Sequence, residues 1–380
     1  MKIFYVPLEP LKERYTVQLS AAKTGWLERR WIENNIPYHR VDGETLTSEI
    51  QHGSVLDAHG RGYWACSQIM ELLHLLHDGL ISSDDVIYFD DFWHPGISAL
   101  PYSFAITGKW PRMYAMLHAQ SIDRFDFTYP MRDWMRHFEK GIGKVLSGIF
   151  VTSTCLRDLV VYAGIAPDEK VFIAGLPYNS EEVRTHLPRV LPKRKKQVVF
   201  SSRWDSEKDP LTFLNIVRQV GAVRPDIKFV ITTSAAHLRS NDPFLLKELQ
   251  SYMAVWKNLE VREGQTKEQY YATLLESAIQ LNTADQDFVS WTLLEATTCG
   301  CRPLYPYFLS FPEALAYDHT LMYSKGDSRE AAHMIIHNID QPESRDYSWV
   351  YRKYDKSWER MFNIMQGLDY ENLYSDQDNI

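Results

Sequence analysis

Short apolar runs alternate with longer stretches of helical spacing along almost the whole chain, and this rhythm narrows the possible folds more than any other feature. KIFYV, DVIYF, RMYAML, GIFVT and KVFIA stand in the first half, and QVVFSS, KFVITT, LEVRE, AIQLN and CRPLY in the second. Helical patterns lie between most of them, for example around Trp64–His77 and Pro130–Lys144. Strands that alternate with helices argue for parallel sheets covered by helices, an α/β architecture. A chain of 380 residues exceeds one ordinary domain, so two are expected. At 45% hydrophobic residues, each half has enough to build a core.

The division falls in YNSEEVRTHLPRVLPKRKK, a polar stretch with two prolines and a basic end. The expected layout is an N-terminal domain over 1–178, a linker over 179–196 and a second domain over 197–345. A helix over 346–368 and an acidic tail over 369–380 follow. Two doubly wound domains facing each other make a cleft, and ligands of open parallel sheets bind beyond the carboxyl ends of the strands. Loops that follow strands are therefore where chemistry is sought.

Composition removes several classes. The formal net charge is -8, so a surface for nucleic-acid phosphates has to be local. No stretch of about 18 apolar residues offers a membrane span, and MKIFYVPLEP lacks the apolar core of a signal peptide. The cysteines Cys66, Cys155, Cys299 and Cys301 contain no CxxC pair. Zinc and a disulfide framework are not expected, and the cytoplasm is the expected compartment.

The stretch DQDFVSWTLLEATTCGCRPL, from Asp285 to Leu304, supports two readings. Asp285-Gln286-Asp287 has the form of a carboxylate pair that grips a divalent cation beside a sugar-nucleotide diphosphate. Asp376-Gln377-Asp378 in the tail matches that pattern equally well. The other reading accounts for more residues. AIQLN is a strand, TADQDFVS a loop, and WTLLEATTCG a helix with Ser290 as N-cap and Gly300 as stop signal. The amides of Phe288, Val289 and Ser290 then face outward at a helix N-terminus, a site for hydroxyls and phosphate oxygens. Glu295 lies within reach of a ribose diol, and Asp287 within reach of hydroxyls on a transferred sugar. Earlier, VVFSSRWDSEKDP puts Arg203 and Lys208 after another strand, where two cations can clamp a diphosphate and stabilise its charge as it leaves.

With these residues the second half resembles the nucleotide-sugar-binding domain of retaining GT-B glycosyltransferases of the family 4 and glycogen-synthase type. Those carry Glu-x7-Glu followed by a Gly-x-Pro segment, and a strand-end Arg with a Lys five residues later. The matching positions are Asp287, Glu295, Gly300 (with Cys301-Arg302-Pro303 following), Arg203 and Lys208. The resemblance implies that Arg203 and Lys208 hold the donor diphosphate, that Glu295 holds the ribose and that Asp287 touches the donor sugar. It implies a UDP-sugar donor, no required cofactor or metal, and retention of configuration. Here Asp replaces the first Glu, and Phe-Val-Ser-Trp replaces a small, glycine-rich run.

The first half offers further strand-end loops. RMYAMLHAQSID ends at His118, and many members of the family place a His at that loop. VIYFDDFWHPGI offers Asp90, Asp91 and His94; VLDAHGRGYW offers Asp57, His59 and Arg61; EPLKERYT offers Glu9, Arg14 and Tyr15. Turn capping accounts for such aspartates as well as acceptor binding does. Of these, Asp91, His94, His59, Arg14 and Tyr15 are the acceptor-binding candidates, and His118, near the donor sugar or the acceptor, is a catalytic candidate. The openings VPLEPLKERYT, LDAHGRGYW and LHAQSID resemble glycosyltransferase-like proteins of tailed bacteriophages. That resemblance implies a hydroxymethylated pyrimidine in DNA as acceptor, flipped into the cleft. Trp64, Trp93 and Trp110 are then candidates to stack on it. Lys193-Arg194-Lys195-Lys196, with Arg184 and Arg189, are candidates for phosphate contacts. An envelope polysaccharide or lipid acceptor, and a silent sugar-binding protein, remain as alternatives.

Overall fold

In the computed structural model the apolar runs become strands of two six-stranded parallel sheets. The structure describes residues 1–10, 15–46, 60–118, 120–126, 128–341 and 346–368. Two compact units are present: residues 1–177 with the chain from Lys356 onward, and Tyr178–Asp355.

The first unit runs β1 (Ile3–Val6), α1 (Tyr15–Asn34), β2 (Tyr38–Arg40), α2 (Gly60–His77), β3 (Val86–Phe89), α3 (Ala99–Thr107), β4 (Arg112–Met116), α4 (Arg132–Val145), β5 (Gly148–Val151), α5 (Thr154–Tyr162) and β6 (Val171–Ile173). Its strand order is β2-β1-β3-β4-β5-β6. The winding reverses between β1 and β3, which pair in parallel with Tyr5 opposite Tyr88. The second unit runs α6 (Ser180–Thr185), β7 (Lys195–Phe200), α7 (Pro210–Val223), β8 (Lys228–Thr232), α8 (Pro243–Val255), β9 (Leu259–Arg262), α9 (Lys267–Glu276), β10 (Ser277–Leu281), α10 (Trp291–Thr298), β11 (Arg302–Tyr307), α11 (Phe311–Ala314), β12 (Met322–Ser324), α12 (Ser328–Asn338) and α13 (Ser348–Asp355). Its order is β12-β11-β10-β7-β8-β9, with the reversal between β7 and β10. A last helix, α14 (Ser357–Met365), belongs to the first unit.

Local chemistry sets the element ends. Thr266 and Gln269 cap α9 reciprocally, and Asp209 and Asp242 each cap a helix that opens on proline, as orphan amides at an N-terminus require. Gly300 takes φ 68° just past α10, the left-handed turn that ends a helix cheaply only for glycine. The aromatic C-terminal pattern is two helices, not one, with the break at Lys356. Trp358, Met361 and Phe362 of α14 join Ile3, Tyr88 and Phe150 in the core of the first unit. The core of the second gathers Val198, Phe200, Trp204, Phe213, Phe229 and Ile279 under its helices.

Candidate active site

In a doubly wound sheet, the strands on either side of the reversal send their next helices to opposite faces, leaving a crevice at their carboxyl ends. In the second unit the loops after β7 and β10 flank that crevice. Trp204 anchors the first loop: its ring is fully buried and its Nε1 donates to the Leu245 carbonyl at 3.1 Å. This leaves Arg203 on the outer side, half exposed. The Asp285 amide donates to the Glu207 carbonyl at 2.9 Å, tying the two loops together. Across that tie, Lys208 Nζ donates to the Gln286 carbonyl at 2.7 Å and approaches Asp287 Oδ2 at 3.5 Å. The sequence-expected pair Lys208 and Asp287 is thus brought together.

Arg203 differs from expectation in its present partners. It pairs with Asp205 at 3.0 Å and Glu207 at 2.5 Å, so two acids of its own loop occupy the guanidinium. Asp285 pairs with Lys325 at 2.9 Å while Asp287 faces Lys208, so the two carboxylates of Asp-x-Asp bond to different lysines. Among the described residues, no group of three or more His, Cys, Asp or Glu side chains is placed to hold a metal ion. Lys325, at the end of β12, also bonds Asp209 at 3.0 Å and the Thr283 carbonyl at 2.8 Å. Asp209 itself sits at φ 48°, a strained conformation for a non-glycine residue. It is held there by its cap to Thr212 and by Lys325.

Phe288, Val289 and Ser290 precede α10 and are largely buried. The amides of Val289 and Ser290 make no hydrogen bond among the described residues. The Ser290 side chain bonds Thr292 Oγ1 at 2.9 Å instead of capping the helix.

Glu295, on α10, is 2% exposed. Its carboxylate accepts from Lys267 Nζ at 3.0 Å, Tyr270 OH at 3.0 Å and Tyr271 OH at 3.1 Å. Three charge-assisted bonds fill most of its lone-pair capacity. Burial first, and the Glu295 charge second, push the Tyr270 and Tyr178 phenols and the Cys299 thiol well above their ordinary range. All three are neutral, and Tyr270 is poised as a donor.

The first unit has its own crevice between β1 and β3. Asp90 stands at its base, accepting from Tyr5 OH at 2.7 Å and from Lys23 Nζ. Lys23 is fully buried, donates to Tyr88 OH at 3.0 Å, and lies 4.7 Å from the Trp358 ring centre. Burial lowers its pKa, and Asp90 opposes that shift. The Asp90 carbonyl faces His118 Nε2 at 2.9 Å. A carbonyl only accepts, so Nε2 carries a proton and Nδ1 is the nitrogen turned away from Asp90.

Asp91 caps a turn, its Oδ1 accepting from the Trp93 amide at 3.0 Å, and its Oδ2 accepts from Arg61 at 3.2 Å. His94 is buried, and burial, with the Arg61 charge second, lowers its pKa to about 3. Gln68 donates to the Pro7 and Val41 carbonyls, each at 2.9 Å, which leaves its Oε1 for His94 Nε2 at 3.1 Å. His94 is thus the Nε2–H tautomer, with a bare Nδ1. Nδ1, and Nε and Nη1 of buried Arg61, have no partner among the described residues. Tyr15 opens α1; Arg14 and His59 lie outside the described residues.

Some expectations are corrected. Trp64 is a core residue, its Nε1 bonded to the Pro7 carbonyl at 3.3 Å, so it is not available to stack on a base. Trp93 is half-buried and Trp110 is exposed. The basic run is mostly consumed internally. Arg194 donates to the carbonyls of Leu275, Ser277 and Cys299. Lys195 pairs with Glu276, and Lys196 with Asp226 and Asp340. Arg184 bonds Glu181 and Tyr351. Lys23, Lys267, Tyr270 and Lys325 were missed in the sequence. For Lys23 the signal was present, since Thr16, Leu19, Ser20, Lys23 and Leu27 form one buried stripe of α1.

No protein-family model matches the chain. The sucrose-phosphate synthase of Thermosynechococcus elongatus superposes with a TM-score of 0.64 at 12% identity, over 100% of this chain and 97% of that one. The UDP-forming α,α-trehalose-phosphate synthase of Burkholderia xenovorans, in complex with glucose-6-phosphate, gives 0.66 at 13% identity, over 96% and 100%. The fold is GT-B. A curated relative, the tRNA-queuosine alpha-mannosyltransferase of Drosophila melanogaster, is 28% identical over 138 residues. That match takes in 36% of this chain and 35% of the relative, so the chain spans about a third of the length of the curated protein it matches. Among the described residues, no helix of this GT-B chain is long and apolar enough to cross a membrane.

Proposed function

We propose that this chain is a retaining glycosyltransferase that moves a sugar from a nucleotide diphosphate sugar, a UDP-sugar, to a hydroxyl of a nucleic-acid base. The observation that carries the reading is the meeting of Lys208 and Asp287 across the β7/β10 reversal. Lys208 binds the donor diphosphate, joined by Arg203 once it turns from Asp205 and Glu207. Glu295 and Tyr270 take the ribose, the amides of Val289 and Ser290 take phosphate or sugar oxygens, and Asp287 orients the sugar. Retention is read from the likeness of Asp287-x7-Glu295 to Glu-x7-Glu.

In the reaction the bond from the anomeric carbon to the diphosphate oxygen breaks as charge spreads over an oxocarbenium-like sugar. Lys208 and Arg203 stabilise the departing charge more than the ground state, which is what accelerates the step. The acceptor oxygen bonds the same face, and its proton passes to the leaving phosphate. His118 orients a hydroxyl of the sugar through Nδ1. Asp91 and His94, with Arg61 beside them, bind the acceptor. No cofactor is required.

The favoured acceptor is 5-hydroxymethylcytosine in DNA. A tRNA nucleoside is a second reading, favoured by the activity for which the Drosophila relative is named. Two measurements test the proposal. UDP should raise the melting temperature of the wild type and lose that effect in Arg203→Ala and Glu295→Ala; unchanged stabilisation in both rejects the donor assignment. Labelled sugar should pass from a UDP-sugar to hydroxymethylated DNA over unmodified DNA, tRNA and lipid acceptors. Transfer to lipid alone rejects the acceptor.

A further inference from the structure

Among the described residues of this acidic chain, helix α4 has a basic outer face. Helix α4 turns Met135, Glu139, Ile142 and Gly143 inward. Glu139 is the acid that would otherwise interleave with the cations, and it bonds the Ser121 amide at 3.0 Å and the Ser121 hydroxyl inside the unit. Outward it shows Arg136, Lys140 and Lys144, each four residues from the next. At 1.5 Å rise per residue they form a row with steps of about 6 Å. None of the three makes an ion pair among the described residues, whereas Lys195 and Lys196 each make one or more. Like charges at this spacing repel and weaken a helix; Glu139 offsets only Arg136, so a bound anion would relieve the rest of the row.

The row continues at the N-terminal end of α4, the end nearer the carboxyl edge of the sheet. Arg132 stacks over Tyr129 at 4.4 Å and Arg124 over Phe125 at 4.5 Å. Arg132 also donates Nη1 to the Tyr129 carbonyl at 3.2 Å; the remaining edge of a stacked guanidinium can take phosphate oxygens. Trp134, two positions on from Arg132 and so on the far flank of the exposed face, is 54% exposed. It is the only large apolar side chain on the outer face of α4, where Asp133, His137 and Gly141 are the other exposed residues. A face built to enter a bilayer needs a broad apolar side; a cationic row with one ring suits a sugar-phosphate backbone.

We propose that this face of α4 docks the phosphodiester backbone of a nucleic acid and delivers the acceptor to the carboxyl edge of the first sheet. The inference rests on the nucleic-acid acceptor of the reading above. The test is binding of the full chain to a fluorescent duplex across a salt series, for wild type, R136Q/K140Q/K144Q and a charge-matched control, K109Q/R218Q/K257Q, at exposed positions elsewhere. Each phosphate contact contributes about 0.9 to the slope of log affinity against log salt. The row variant should therefore lose about 2.7 in slope and more than tenfold in affinity at low salt, while the control stays near wild type.

Equal slopes for row variant and wild type, an equal loss in the control, or row-dependent binding to anionic vesicles in place of nucleic acid would each overturn the proposal. UDP-induced stabilisation and transfer to a hydroxymethylated nucleoside are followed in the same proteins. If these persist while duplex binding ignores the row, docking fails and the enzyme reading stands. If UDP has no effect but the row governs duplex binding, docking stands and the enzyme reading fails.

Discussion

Replacing Lys208 with methionine removes a charge while keeping most of the side-chain length, and it separates two roles that the structure gives this residue. Without ligand, Nζ serves the Gln286 carbonyl at 2.7 Å and faces Asp287 at 3.5 Å, with the side chain 10% exposed. Asp287 is 23% exposed and water can replace the lysine there. The expected loss of folding stability is therefore that of one good hydrogen bond, about 1–2 kcal/mol. With donor bound, the lysine makes a charge-assisted bond to the diphosphate, worth about 1.5–3 kcal/mol. UDP should bind roughly ten- to a hundredfold more weakly. At a UDP concentration one hundred times the wild-type Kd, ligand stabilises wild type by about 2.7 kcal/mol. The same concentration should stabilise the variant by only about 0.4–1.4 kcal/mol. Urea unfolding with and without UDP reads both quantities. Turnover should fall further, by roughly 10²–10³ at saturating donor, because the charge is needed most as the diphosphate leaves. If UDP stabilises K208M as much as wild type, Lys208 is a loop clamp and not a phosphate ligand, and the site lies elsewhere.

Three other outcomes follow from the same geometry. Glu207→Gln removes the shorter of the two ion pairs that occupy Arg203, and it should tighten UDP binding severalfold by titration calorimetry; weaker binding would mean that the acid positions the arginine. His94 has a pKa lowered from 6.5 to about 3, so the unfolded chain binds the extra proton: its stabilising contribution is complete above about pH 6.5 and lost as pH falls toward 3. Wild type should lose ~3 kcal/mol more than His94→Gln between pH 7 and 4.5 in urea titrations, at about 1.4 kcal/mol per unit. Lys23→Met leaves Asp90 buried without its cation and should cost about 3–5 kcal/mol; adding Asp90→Asn should recover most of it, and a strictly additive double variant would deny the coupling.

How much of this was legible in the sequence depended on whether neighbours in space were also neighbours in pattern. The inner strands were readable because each is a buried apolar run, such as Val86–Phe89 or Gly148–Val151. Both β2 and β12 escape the sequence: each is a sheet edge of three residues, too short for a pattern, and the positions of β2 are also half-exposed or exposed. The break between α13 and α14 was invisible because amphipathic spacing continues through Lys356. Lys208 and Asp287 could be placed together because both follow strands, and strand ends converge in this fold. Their surroundings could not be read. Nothing in the spacing says that Asp205 and Glu207 hold Arg203, or that Lys267 and two tyrosines hold Glu295, since those are matters of side-chain reach.

The cations make the same point more sharply. Lys193-Arg194-Lys195-Lys196 is conspicuous as a string, yet Arg194 is spent on three backbone carbonyls and both following lysines on acids. Arg136, Lys140 and Lys144 are scattered in the string and become a row only when wound at 3.6 residues per turn. Glu139 faces inward to Ser121, so it acts on Arg136 alone of the row and forms no ion pair with it. A run of like charge in a sequence measures proximity along the chain, whereas recognition of a polyanion depends on which charges lack an internal partner. By that criterion α4 is the candidate basic surface among the described residues, while Arg194, Lys195 and Lys196 serve the structure of the second unit.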